Sequence, residues 1–210
     1  MDLGESDADG ARQGERGPLD HPTRVQLLEA ADEHFRRYGY AKTTVADLAR
    51  AIDVSPAYVY RFFESKQAIG EAVCAMTLGR ICAALQAVEA EPRSASERLR
   101  RCYRTLVDKG FELYFNERKL HETVIAAVEG RWSSIAHYRQ NLADLVRRLV
   151  VAGREAGEFE RKTPIDDLCV AINSTMTPFC HPILLEQTGQ ADLRANAEQV
   201  AGLVLRSLAP

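Results

Sequence analysis

The chain has no CxxC pair, no signal-like start and no excess of positive charge. Its five cysteines, Cys74, Cys82, Cys102, Cys169 and Cys180, are scattered and odd in number. That argues against a disulfide framework and suits reduced thiols in a cytosolic protein. No apolar run approaches the roughly 20 residues that cross a bilayer, and the first residues are acidic. The expectation is a soluble, cytoplasmic protein with no membrane partner. A net charge of −3 and a pI near 6.0 supply no whole-chain argument for nucleic acid. GxSxG, P-loop, GxGxxG and HExxH are all missing. His21, His34, His121, His137 and His181 have no evident nucleophile beside them, so an enzyme is not expected. Cys180-His181 lacks a second ligand pair, and neighbours on a helix point about 100° apart, so no metal is expected. No basic cluster flanks a cysteine to lower its pKa, and no cofactor is implied.

What is present is helical punctuation. The first twenty residues carry six acids against two bases and four glycines. They hold too little apolar surface to offset the entropy of ordering, so residues 1–20 are expected to be a disordered acidic tail. Thr23 to Gln26 then fits a capping box, with Val25, Leu28, Ala31 and Phe35 at helical spacing. Gly39 stands where a left-handed C-terminal residue is wanted. Thr44 and Asp47 form a second box, ahead of Val45, Leu48, Ala49 and Ile52. Ser55 and Pro56 are an N-cap and a first helical residue. Ser65 caps a fourth, longer helix through Ala72 and Met76. The second and third helices are separated by only about three residues around Asp53, the helix-turn-helix pattern.

The stretch "VSPAYVYRFFESKQAI" holds four aromatics within six residues. On a helix, Val59 and Phe63 share one side and suffice for packing. The other faces are free to meet DNA. Pro56 and Ala57 are small enough for close approach to base edges, while Tyr58, Tyr60 and Lys66 can hold phosphates. Lys66 also opens a helix, whose dipole favours an anion.

Beyond residue 92 the pattern is of longer helices. Ser94 and Glu97 open one that aligns Leu99, Cys102, Tyr103, Leu106, Gly110 and Tyr114. "KLHETVIAAVEG" is a short one, and the next aligns Ile135, Leu142, Leu145, Val146 and Leu149. Thr163-Pro164 reads as an N-cap and first-turn pair. Pro178 and Pro182 should kink or break the helix that follows. "ADLRANAEQVAGLVLRSL" closes the chain, with Val200, Leu203, Val204 and Leu205 apolar on more than one side. No segment alternates as a strand does. The fold class is all-α.

Residues Thr43 to Ile69, "TTVADLARAIDVSPAYVYRFFESKQAI", resemble the DNA-binding domain of the tetracycline-repressor (TetR) family of transcriptional regulators. The matching run is Thr44, Ala46, Leu48-Ala49, Val54-Ser55, Val59-Tyr60, Phe63, Ser65-Lys66 and Ile69. The resemblance implies a helix-turn-helix DNA-binding domain over 21–70 and a helical effector-binding and dimerisation domain over 71–210. Thr44, Ala46, Ser55, Pro56, Ala57, Tyr58, Tyr60 and Lys66 would then form the DNA surface. Asp53 departs from the family's usual glycine, and Phe62 from a usual polar residue. The resemblance further implies a homodimer on a palindromic operator, paired through the last two long helices, and a repressor released by a small apolar or aromatic effector. Candidates for the effector pocket are Tyr103, Phe111, Tyr114, Trp132, Tyr138, Met176, Phe179 and His181. Residues 21–70 carry a net charge of only +1, so a monomer should bind DNA weakly. Two-fold pairing would place half-sites about 34–36 Å apart or at a multiple of that.

Overall fold

The computed structural model describes Pro18, residues 21–187 and residues 190–210; the expected tail lies almost wholly outside the described residues. Among them the only regular elements are helices: α1 (Pro22–Tyr38), α2 (Val45–Ala51), α3 (Pro56–Val59), α4 (Lys66–Glu89), α5 (Ala95–Asn116), α6 (Arg118–Glu129), α7 (Ser133–Glu155), α8 (Ile165–Cys180), α9 (Pro182–Gln187) and α10 (Gln190–Ser207).

The starts of α2, α3, α4 and α5 follow local chemistry. Asp47 N donates to Thr44 Oγ1 at 3.2 Å, and Thr44 N donates to Asp47 Oδ2 at 2.9 Å, a complete capping box. Tyr58 N donates to Ser55 Oγ at 3.2 Å and Ala68 N to Ser65 Oγ at 3.0 Å. Ser94 accepts likewise from Glu97 N at 3.1 Å. Asp53 turns the chain between α2 and α3 with φ 54°, a conformation Asp adopts more readily than most residues.

Three boundaries differ from the sequence expectation. The N-cap of α1 is His21, whose Nδ1 accepts from Thr23 N at 3.2 Å, with Pro22 in the first turn. The buried face is therefore Arg24, Leu27, Ala31 and Phe35, while Val25 is 41% exposed. Arg24 tolerates this position because its guanidinium lies 5.1 Å above the Phe63 ring. Gly39 does have positive φ (84°), but its ψ of 157° is extended rather than left-handed helical. Pro164, not Thr163, is the N-cap of α8.

The two prolines behave differently. Pro178 is carried within the last turn of α8, whereas the helix stops at His181, whose ψ of 120° is extended. A residue preceding proline is driven out of the helical region, which Pro182 does here before opening α9.

At the centre α4 packs on α1, α5, α6 and α7; α5 also meets α8 and α10. Being covered from several directions, α4 buries apolar residues on more than one side. By length and composition it could cross a membrane, contrary to the expectation that no run comes close, but more than half of it is buried inside the fold.

One long-range cap ties the C-terminal helices together. The Glu158 carboxylate, beyond α7, accepts from Ala95 N and Ser96 N at 2.9 Å each, at the start of α5. Burial alone would push this carboxyl up, but the two backbone N–H groups outweigh it and hold it below its ordinary value. A depressed folded-state value stabilises the fold above the ordinary glutamate range and is lost as pH falls through it. Glu158→Gln should therefore lower Tm at neutral pH, and the difference from wild type should shrink in acid. Thermal unfolding of both proteins across that range tests it; a constant difference would contradict it.

Candidate functional site

The helix-turn-helix is built on a short third helix. α3 makes a single turn, and residues 60–65 then lead irregularly to α4. Val59 and Phe63 are fully buried, as the spacing predicts. Phe62 is buried too, at 5% exposure, packed between the His21 ring (4.8 Å) and the Tyr58 ring (5.5 Å, edge-on). It is a packing residue and has no face to offer DNA. Tyr58 is half-buried, with the Arg61 guanidinium 5.2 Å above its ring. The crowded aromatics thus divide three ways: Phe62 and Phe63 inward, Tyr58 against the rim, Tyr60 outward at 45% exposure.

Thr44, Ala46, Ser55, Pro56, Ala57 and Tyr60 are all exposed. Lys66 is half-buried at the first turn of α4, its Nζ donating to Ala41 O at 3.2 Å and lying 4.5 Å from the Tyr40 ring. Burial lowers its pKa. The side chain is held in place by groups of its own chain, with two ammonium donors still to spend. Sequence reasoning passed over Lys42, which is exposed beside Thr43 and Thr44 and has no ion pair among the described residues. Its only signal was adjacency to the α2 cap.

The C-terminal helices form an open-sided cavity of about 330 Å³ between α4, α6, α7, α8 and the α8–α9 break. Three of the eight expected pocket residues line it: Tyr138, Met176 and His181. The other five do not. Tyr103 and Phe179 face each other in the core, ring centroids 6.0 Å apart, with the Tyr103 hydroxyl 2.5 Å from Thr175 Oγ1. Phe111 is buried and stacked on Phe115 at 5.6 Å. Tyr114 meets the His121 ring edge-on at 5.0 Å. Trp132 caps α7 and packs on Tyr40 of the N-terminal region at 5.1 Å. α5 runs through the middle of the bundle, so its inward aromatics become core rather than lining.

The lining includes residues the sequence did not single out. Arg139, Asn173, Ser174 and Thr177 supply polar groups around an otherwise hydrocarbon wall, joined by Cys180, which sequence reasoning weighed as a metal ligand rather than as lining. Burial, aided by Arg139, keeps His181 below its ordinary pKa; burial pushes the Cys180 thiol up to about 11. A smaller, more polar cavity of about 250 Å³ between α4 and α7 shares Leu78 and Tyr138 with it. There Glu71 accepts from both the backbone N–H and the hydroxyl of Ser133. Among the described residues no group of three or more His, Cys, Asp or Glu could hold a metal ion.

Residues 27–73 match the family described as bacterial regulatory proteins, tetR family, and residues 95–201 match the tetracyclin repressor-like C-terminal domain. The chain belongs to the TetR family and is a DNA-binding transcriptional regulator, not an enzyme. It is 29% identical over 169 residues to the HTH-type transcriptional regulator TcmR of Streptomyces glaucescens, covering 76% of this chain and 74% of that one. The fold is shared with FadR from Bacillus subtilis in complex with stearoyl-CoA: TM-score 0.62, 19% identity, 88% of this chain and 98% of that one. It is shared also with a transcriptional regulator from Cytophaga hutchinsonii: TM-score 0.68, 17% identity, 90% and 100% covered.

Proposed function

We propose that this chain is a ligand-responsive repressor, acting in the bacterial cytoplasm. Residues 21–70 bind a palindromic operator, 71–210 bind the effector and pair two copies, and a small apolar or aromatic effector releases the DNA. The observation that carries the DNA reading is the exposed surface of α3, with Ser55, Pro56 and Ala57 at its N-terminus and Tyr60 at its C-terminal end, flanked by Thr44, Ala46 and the positioned Lys66. Small residues there suit base edges; Tyr60 and Lys66 suit phosphates. Tyr58, partly committed to packing, contributes its outer edge.

Pairing through α8 and α10 is supported by apolar side chains on both helices that face away from the core, Val170 (67% exposed) and Leu203 (61%). The weak charge of the N-terminal unit also favours two copies acting together. Effector sensing is supported by the apolar-walled, open-sided cavity and by the stearoyl-CoA bound to the structurally similar FadR.

The test is selection of bound sequences from random duplex DNA, followed by the salt dependence of the winners. A palindromic consensus with a steep salt slope is expected. Tyr60→Phe and Lys66→Ala should each weaken binding to every sequence by about tenfold or less, and Lys66→Ala, which removes a cation, should also flatten that slope; substitutions at Pro56 or Ala57 should change the preferred sequence. Weak binding without sequence preference would favour a helical interaction module instead.

A further inference from the structure

We propose that the 330 Å³ cavity takes a small apolar acid, a carboxylate on a hydrocarbon or aryl body, with Arg139 as its counter-charge. This deepens, and rests on, the ligand-responsive reading above. Most of the wall is hydrocarbon from Leu78, Val124, Val128, Ile135, Leu142 and Met176, and among the described residues no acidic side chain lines it. Such a wall selects an apolar body and has no counter-charge for an amine.

The polar groups that could orient the body lie where α7 meets the α8–α9 break. Arg139 stands exposed at the rim and makes no ion pair among the described residues. The buried Nδ1 of His181 has no hydrogen-bond partner. The Tyr138 hydroxyl, on a buried ring, is likewise without a hydrogen bond among the described residues. Buried polar groups are nearly always satisfied. Of the three groups His181 Nδ1 is the buried atom without a partner; with the Arg139 guanidinium at the rim and Tyr138 on the wall, a ligand that carries acceptors matches the set. A carboxylate supplies the acceptors such groups need: it can accept two parallel bonds from a guanidinium, or single bonds from a hydroxyl or a ring N–H. A neutral amide could satisfy the hydroxyl but would leave the guanidinium without its counter-charge.

Calorimetric titration of the full-length protein tests this with two pairs of probes, decanoate against decanamide and 2-naphthoate against 2-naphthamide. At neutral pH at least one acid is expected to bind tenfold or more tighter than its amide. Arg139→Gln should erase that preference, leave amide affinity unchanged and leave Tm unchanged, since the side chain is exposed. Equal affinity for acid and amide, an acid preference that survives Arg139→Gln, or no binding of any probe would each overturn the acid assignment. The ligand-responsive reading is tested separately by Ala143→Trp, which fills the cavity. Altered operator affinity in that variant supports sensing through the cavity whatever the probes do, and unaltered affinity refutes it.

Discussion

Phe63→Ala is expected to abolish operator binding by dissolving the platform that carries α3. Phe63 is fully buried where α1, α3 and the start of α4 converge, and the Arg24 guanidinium rests on its ring. Removing a buried phenylalanine costs about 3–5 kcal/mol. A unit of some fifty residues has a small core and little stability in reserve. The loss should therefore appear as melting of the N-terminal helices rather than as a local adjustment. Denaturant unfolding should show an early transition absent from wild type, with binding to the selected DNA lost. Phe63→Leu, which keeps most of the buried volume, should recover much of both. Wild-type stability in Phe63→Ala would mean that Val59 and Phe62 hold α3 without it.

Gly70→Val should reduce operator affinity about tenfold or more without touching any DNA-facing residue. α4 brings Gly70 against two rings: a Cβ there would lie 2.7 Å from Trp132 Cη2 and 2.7 Å from Tyr40 Cε2. Neither ring can retreat easily, because Trp132 and Tyr40 also pack edge-on against each other. Overpacking of this kind costs typically about 1–3 kcal/mol, and each 1.4 kcal/mol is a factor of about ten in an equilibrium. The strain falls at the junction between the two units: Tyr40 leads to α2 and holds Lys66, while Trp132 starts α7, which lines the cavity with Ile135 and Tyr138. Trp132 is the sole tryptophan, so its fluorescence reports directly on the contact. The expected result is a shifted emission together with weakened DNA binding, the binding loss being reversed by adding Trp132→Leu. If emission and affinity match wild type, the junction does not set the placement of α3. A ligand in the cavity would act on the same path, because Leu78 of α4 lines the cavity two turns beyond Gly70 and Glu71. Its coupling to DNA would be reciprocal and typically about 1–3 kcal/mol.

Much of the N-terminal unit was legible from the chain. The Thr44–Asp47 box and the Ser55 and Ser65 caps form as predicted because each side chain reaches a backbone N–H only three residues ahead. The tight turn at Asp53 is equally local. Misreadings began where a choice depended on a neighbour. The inner face of α1 came out one position off, since Arg24 is buried with its guanidinium over the ring of Phe63, a residue far along the chain. Phe62, which departs from the family's usual polar residue, turns inward because His21 and Tyr58 close around it, a placement no local pattern gives.

The pocket was least legible. Tyr103, Phe111, Tyr114, Trp132 and Phe179 have the composition of a ligand site, yet the bundle consumes all five as packing between helices. Arg139, Asn173 and Thr177 look like ordinary surface residues in the sequence and acquire meaning only where α7 and α8 diverge. By itself the sequence determined the all-α class, the helix-turn-helix and the family, because helix periodicity, caps and short motifs are encoded within a few residues. Only the tertiary structure decided which aromatics face inward, where the cavity lies and which polar groups it leaves unpaired. Those depend on contacts between residues far apart in the chain, and no local pattern specifies them.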